Sequence, residues 1–189
     1  VCLSDRGHAV CCVDRDQQKI CNLHKGILPI YEPGLESIVT RNVDAGTLTF
    51  STDAAAEIAD AEVVYIAVGT PSAEDGSASL TAVRAVAEQI ATHASEGTIV
   101  IIKSTVPVGT ADMVREIVNG SNVVDVVSNP EFLREGVAIE DFEAPDRIVV
   151  GFQEPFAKQQ VEQLYASFIE AGHPTYFMDN RSAEITKYA

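Results

Sequence analysis

Seven short apolar runs recur along the chain, each bounded by polar or turn-forming residues. They are "AVCCV" (9–13), "TLTF" (47–50), "EVVYIAV" (62–68), "TIVIIK" (98–103), "VVDVVS" (123–128), "RIVVG" (147–151) and "TYFM" (175–178). Several are nearly continuous Val and Ile, the pattern of a strand covered on both faces. Between them, apolar positions fall at helical spacing. Residues 16–25 carry Ile20 and Leu23. Residues 33–45 place Pro33 at a first helical position and stop at Gly46. In 80–94, Leu80, Val83, Val86, Ala87, Ile90 and Ala94 share one stripe. Residues 110–118 and 154–170 give two more helices. Residues 179–189 read as a last helix that opens on capping-type residues and runs to the chain end. Strand alternating with helix predicts an α/β fold with a doubly wound parallel sheet.

Composition narrows the class only slightly. The 189 residues are 46% hydrophobic and 22% charged, as in an ordinary globular domain with one sizeable core. Thirteen Lys and Arg against 28 Asp and Glu give a net charge of −15, which disfavours nucleic acid and anionic membranes as partners. No apolar run approaches the roughly 20 residues of a membrane span. The first residues lack a basic stretch and a long apolar core, so the expected compartment is the cytoplasm. Cys2, Cys11, Cys12 and Cys21 all lie near the start. Neighbouring Cys11 and Cys12 point to opposite faces of a strand, and the spacing matches no zinc motif. Reduced, mostly buried thiols and no metal are expected.

In open parallel sheets, ligands bind beyond the carboxyl ends of the strands. Asp14 closes the first strand, the place of the acid that holds an adenosine ribose in a dinucleotide-binding βαβ unit. That acid stands roughly 20 residues after the first glycine of a G-x-G-x-x-G loop. Only 13 residues precede Asp14, with one glycine, Gly7. Asp14 therefore reads either as a ribose ligand or as a strand-end acid in a turn. After 62–68, Gly69-Thr70-Pro71 sets a hydroxyl in a tight turn. After 98–103 come Ser104, Thr105 and Thr110. Thr110 has a local duty as a helix cap; Thr105 has none and points to a ligand or water contact. After 123–128, Glu131, Arg134 and Glu135 stand beside exposed Phe132 and Leu133. Two carboxylates and an arginine at this edge suit a polar, anionic substrate and offer a general base.

The blocks "YEPGLE", "AVGTPS", "DGSA", "KSTVPVGT", "SNPEFLREGVAIEDF", "PDRIVVG" and "RSAEITKYA" occur in this order. Together they resemble the UDP-glucose/GDP-mannose dehydrogenase family over essentially the whole chain. In that family a G-x-G-Y-V-G-L loop stands just before the stretch that begins here as "VCLSDRGH". The resemblance thus favours Asp14 as the ribose acid and implies a Rossmann-like domain lacking its first strand and glycine loop. It implies NAD as cofactor, residues 1–178 as the NAD-binding domain and 179–189 as the start of a central connecting helix. Asp14 and Lys19 resemble the residues that hold the adenosine ribose. Thr70 and Thr105 resemble strand-tip threonines near the cofactor, with Thr105 also positioning a catalytic water. Glu131, Phe132, Leu133, Arg134 and Glu135 resemble the substrate-binding loop, with Glu131 as general base and Glu135 touching NAD and the water. Lys187 resembles a substrate-contacting lysine that stabilises oxyanions, a role suited to a protonated amine.

For the complete protein, the resemblance implies NAD-dependent four-electron oxidation of UDP-glucose to UDP-glucuronate by a homodimer. The oxidation passes through covalent capture on a cysteine of a later loop. None of the four cysteines here matches it, and a family asparagine falls beyond Ala189. The chain alone is accordingly expected to be inactive and to bind NAD weakly at best. Alternative readings are another sugar nucleotide, such as GDP-mannose or a UDP-N-acetylhexosamine, or a non-catalytic nucleotide-binding module.

Overall fold

The computed structural model describes residues 1–189. In chain order the elements are α1 (Cys2–Asp5), β1 (Val10–Val13), α2 (Gln17–His24), α3 (Leu35–Asp44), β2 (Leu48–Ser51), α4 (Ala54–Asp60), β3 (Val63–Ile66), α5 (Thr81–His93), β4 (Ile99–Ile102), α6 (Thr110–Val118), β5 (Asp125–Ser128), α7 (Ala138–Glu143), β6 (Ile148–Gly151), α8 (Pro155–Leu164), α9 (Ala166–Glu170), β7 (Thr175–Met178) and α10 (Asn180–Thr186). They form two compact units, Val1–Glu57 with Leu133–Pro145, and Ile58–Phe132 with Asp146–Ala189. No helix is long and apolar enough to cross a membrane.

In the first unit, β1 and β2 pair in parallel from Val10 opposite Leu48 to Val13 opposite Ser51. Ile20, Leu35, Val39, Leu48 and Phe50 form its core, and Ile139 of α7 packs against them. Asp5, at the end of α1, accepts from Arg41 Nε at 2.6 Å, from Arg41 Nη2, and from Asn42 Nδ2 at 2.9 Å. The forked guanidinium fits both carboxylate oxygens. With the Asn42 amide, it holds Asp5 at about 2 against an ordinary 3.8. The four cysteines are free, but each is partly exposed rather than buried as expected. The strand carrying Cys11 and Cys12 is paired on one side only, with β2, so it lacks the enclosure of a central strand.

The second unit holds a five-stranded sheet in the order β3-β4-β5-β6-β7. β3, β4 and β5 are parallel. Every residue of β4 and β5 is buried, as their continuous apolar runs predict. The stripe read in 80–94 also holds, with Val83, Ala87 and Ile90 of α5 buried. The parallel order breaks once: β6 meets β5 antiparallel at a single pair, Ser128 opposite Gly151. β7 then pairs with β6 in parallel.

Side chains satisfy the backbone around that junction. Asn180 Nδ2 donates to Val126 O at 2.8 Å, and its Oδ1 accepts from Ser128 N at 3.0 Å. Asn129 Nδ2 donates to Val149 O at 2.8 Å. The Asp125 carboxylate accepts from Gln153 N and Glu154 N, both at 2.8 Å. Asn180 opens α10, which lies against β6. A Cβ on Gly151 would stand 2.7 Å from both Ala183 Cβ and Asn180 Cα. Glycine is required there for space, not for conformation.

The helices depart from the pattern in several places. α3 starts at Leu35, because Gly34 takes φ 86° at the N-cap and leaves Pro33 outside. The single helix expected over 154–170 is two, jointed at buried Tyr165, whose hydroxyl donates to Asn129 Oδ1 at 2.6 Å. α10 stops at Thr186 with Lys187 as C-cap, short of the chain end expected for it. Last-turn carbonyls have no intrahelical donor, so helix ends loosen. α4 and α7 are too short to show a periodic stripe.

Two outcomes are expected. Gly151→Ala should lower stability by about 1–3 kcal/mol, the usual cost of overpacking, in urea unfolding followed by circular dichroism. Wild-type stability would show that α10 withdraws from β6 without cost. Asp5 should titrate in the folded chain with a midpoint of about 2 in carbon-detected NMR. Its folded value lies below the unfolded one. Its stabilisation is therefore complete above about pH 5 and is lost as pH falls from about 4 through about 2. Arg41→Ala should return the midpoint toward 3.8; a wild-type midpoint already there would refute the pairing.

Candidate active site

The sequence-predicted residues divide between the two units. Asp14, Lys19, Leu133, Arg134 and Glu135 belong to the first, and Thr70, Thr105, Glu131, Phe132 and Lys187 to the second. The loop read as one substrate segment thus changes unit between Phe132 and Leu133.

In the first unit, Asp14 N donates to Ser51 O at 3.1 Å, which carries the β1–β2 pairing one residue further. Its carboxylate stands at the carboxyl edge of two parallel strands. Oδ2 accepts from Lys19 Nζ at 2.6 Å and Oδ1 from Asp16 N at 3.0 Å. These bonds, that of Lys19 foremost, hold Asp14 below the usual carboxylate range. Lys19 is placed by the start of α2, where Asp16 accepts from the N–H groups of Gln18 and Lys19. Arg134 is engaged by Asp141, through Nη2 at 2.6 Å, Nε at 3.1 Å and its own backbone N–H at 2.8 Å. Leu133 and Glu135 are exposed. Glu32, given no role in the sequence reading, accepts from Gly136 N at 2.8 Å and Ala138 N at 3.2 Å. It anchors the stretch that follows Glu135 and opens α7.

In the second unit, the tips after β3 and β4 are tied together. Thr70 Oγ1 donates to Thr105 O at 2.7 Å, and Ser104 Oγ donates to Val68 O at 2.7 Å. A small, partly open cavity is lined by Ile102, Ser104, Thr105, Val106, Ser128, Pro130, Glu184 and Lys187. Lys187 Nζ donates to Glu131 Oε1 at 2.9 Å and also to the Glu131 carbonyl oxygen. The predicted base and the predicted oxyanion donor are therefore direct partners. Phe132, expected to be exposed, is half-buried: Arg147 Cζ lies 4.3 Å and Lys187 Nζ 5.4 Å from its ring centroid. Both cations face its π-electrons. An ammonium, a carboxylate and the Thr105 loop meeting at strand tips can bind an oxyanion and move a proton.

Thr110 does not cap α6. Its hydroxyl donates back to Pro107 O at 2.6 Å. The N-cap is Gly109 at φ 94°, a left-handed backbone that favours glycine and supplies no capping side chain. Glu184 of α10 meets the need instead, Oε2 accepting from Gly109 N at 2.6 Å and Oε1 from Ala111 N at 2.7 Å. Glu184 is only 3% exposed, and burial pushes its pKa up despite those two bonds. Sequence reading missed it. The available signal was an acid three residues before Lys187 on one helix.

Residues 1–169 match the model of the UDP-glucose/GDP-mannose dehydrogenase family, NAD binding domain. The chain is 48% identical over 195 residues to UDP-glucose 6-dehydrogenase of Pseudomonas aeruginosa, covering 100% of this chain and 43% of that protein. It is 44% identical over 193 residues to UDP-glucose 6-dehydrogenase YwqF of Bacillus subtilis, again covering 100% and 43%. The fold superimposes on a UDP-glucose dehydrogenase from Pyrobaculum islandicum with a TM-score of 0.88 at 38% identity, covering 98% of this chain and 44% of that one. A GDP-mannose dehydrogenase ternary complex from Pseudomonas aeruginosa gives 0.90 at 32% identity, covering 99% and 44%. The chain spans less than half the length of these relatives. By sequence and by fold together, it belongs to the UDP-glucose/GDP-mannose dehydrogenase family, as an NAD binding domain.

Proposed function

We propose that this chain is the cofactor-binding part of an NAD-dependent dehydrogenase that oxidises UDP-glucose to UDP-glucuronate, with residues 1–178 as its NAD-binding domain. The observation that carries the reading is the Glu131–Lys187 pair beside the Thr105 loop. Two relatives at 48% and 44% identity are named UDP-glucose 6-dehydrogenases, whereas the GDP-mannose dehydrogenase is 32% identical. That difference supports UDP-glucose over GDP-mannose.

The residues present fit a dinucleotide. Asp14, ionised at neutral pH and aimed by Lys19 and Asp16, offers carboxylate oxygens at a strand edge to the adenosine ribose hydroxyls. Thr70 and Thr105 stand where strand-tip hydroxyls meet a ligand, and Glu135 lies on an exposed stretch within reach of solvent-borne groups. NAD, when bound, supplies the hydride acceptor. An ammonium carries three donors; Glu131 takes two from Lys187, and the third serves the oxygen that gains charge on C6. A cysteine from the later part of the complete protein would capture the C6 aldehyde as a thiohemiacetal, and loss of a second hydride to NAD would leave a thioester. Glu131 accepts the proton of water as that water attacks the thioester carbonyl, and the thiolate leaves. Thr105 orients the water, and Phe132, Leu133 and Arg134 contact the substrate. Two of the thiols here are unsuited to the covalent step. Burial pushes those of Cys2 and Cys11 up, and a nucleophile needs the opposite shift.

The full-length gene product supplied with UDP-glucose should form two NADH per sugar, followed by nicotinamide absorbance. No UDP-glucose-dependent NADH would overturn the reading, and NADH from GDP-mannose alone would reassign the substrate. In the same protein, Glu131→Gln should slow release of the thioester about 10²–10⁴-fold, so that an acyl-enzyme accumulates by intact mass. Lys187→Ala should slow the hydride steps instead. Wild-type turnover in either variant would remove that residue from its role.

A further inference from the structure

We propose that Glu184 is a positioning residue for this chemistry, tying the loop that carries Thr105 to the helix that carries Lys187; the inference rests on the dehydrogenase reading above. A glutamate on a helix is ordinarily solvated, and burying a carboxylate is costly unless it is bonded. Glu184 is almost fully buried. Both of its oxygens go to one target, the N–H groups of Gly109 and Ala111. Those groups open α6, where the first N–H groups lack intrahelical partners and the helix dipole favours negative charge.

Nothing local could do this. Gly109 has no side chain, and the Thr110 hydroxyl is turned to Pro107 O. A residue 75 positions away caps the helix instead. The loop between β4 and α6 is thereby held at both ends: Thr70 binds the carbonyl of Thr105, and Glu184 binds the N–H of Gly109. α10 is itself seated on the sheet by Asn180 and by its close approach to Gly151. Thr105, Glu184 and Lys187 line the same cavity. The carboxylate of Glu184 thus fixes the Thr105 loop against the element that presents Lys187.

The test is a double-mutant cycle in the full-length gene product, with wild-type turnover of NAD and UDP-glucose measured first. Glu184→Ala should lower kcat about 10²-fold, the scale of a misplacement near 1 Å, while both KM values stay within about threefold. Adding Glu184→Ala to Thr105→Ala should cost no more than about a further threefold, because both act through one loop. Glu184→Asp, which keeps the carboxylate, should recover part of kcat. In the 189-residue chain, Glu184→Gln should move the Gly109 and Ala111 amide signals and leave those of β7 in place. Additive losses, or full kcat in a folded Glu184→Ala or Glu184→Gln variant, would overturn the proposal. Absence of wild-type turnover would instead overturn the dehydrogenase reading, and this inference with it.

Discussion

Between β5 and β6 the ladder closes on one pair, Ser128 and Gly151, in a part of the sheet where every strand residue is buried. Buried backbone groups must find partners. Asn180 and Asn129 supply them from outside the strands, and Asp125, the first residue of β5, binds the N–H groups that follow β6. Asn180 does so from the first turn of α10, so the need for its amide at β5 also dictates where that helix lies. Gly151 then admits the helix at a separation no other residue would allow. The position of Lys187, one residue past the helix, follows from this junction.

Acidic side chains in this chain do more than keep it soluble. Asp16, Glu32, Asp125 and Glu184 each accept from at least two backbone N–H groups at the end of a loop or the start of a helix. Helix starts expose unpaired donors and carry partial positive charge, so carboxylates are the natural partners there. Part of the net charge of −15 is therefore held in place as structural acceptors.

Glu131 is bound differently. It faces an ammonium, not an amide pair, and both partners retain some solvent access, with side chains 30% and 21% exposed. Such a pair is modest in stability but places a proton acceptor and a cation 2.9 Å apart. Phe132, the next residue, holds its ring toward the same cation and toward Arg147. Substitution of one partner leaves the other without its counter-charge, so single changes at Glu131 and Lys187 are not independent measures of each residue.

The order of the strands and of the longer helices was legible in the sequence because it follows from periodicity within each element. Continuous Val and Ile marked β4 and β5, and the stripe from Val83 to Ile90 marked the buried face of α5. Asp14 was legible as the acid that closes the first strand, whereas Lys19 entered only through the family resemblance; their pairing spans five residues across one strand-to-helix turn. Tertiary structure alone decided the rest. Strand direction at β5–β6 depends on how the intervening chain returns, which no pattern inside either strand records. The partial exposure of Cys11 and Cys12 depends on β1 having one paired neighbour. Glu131 meets Lys187 across 56 residues, and Glu184 meets Gly109 across 75. Residue type says that a buried carboxylate needs donors, but only packing, by bringing distant backbone within hydrogen-bond reach, determines which donors it finds.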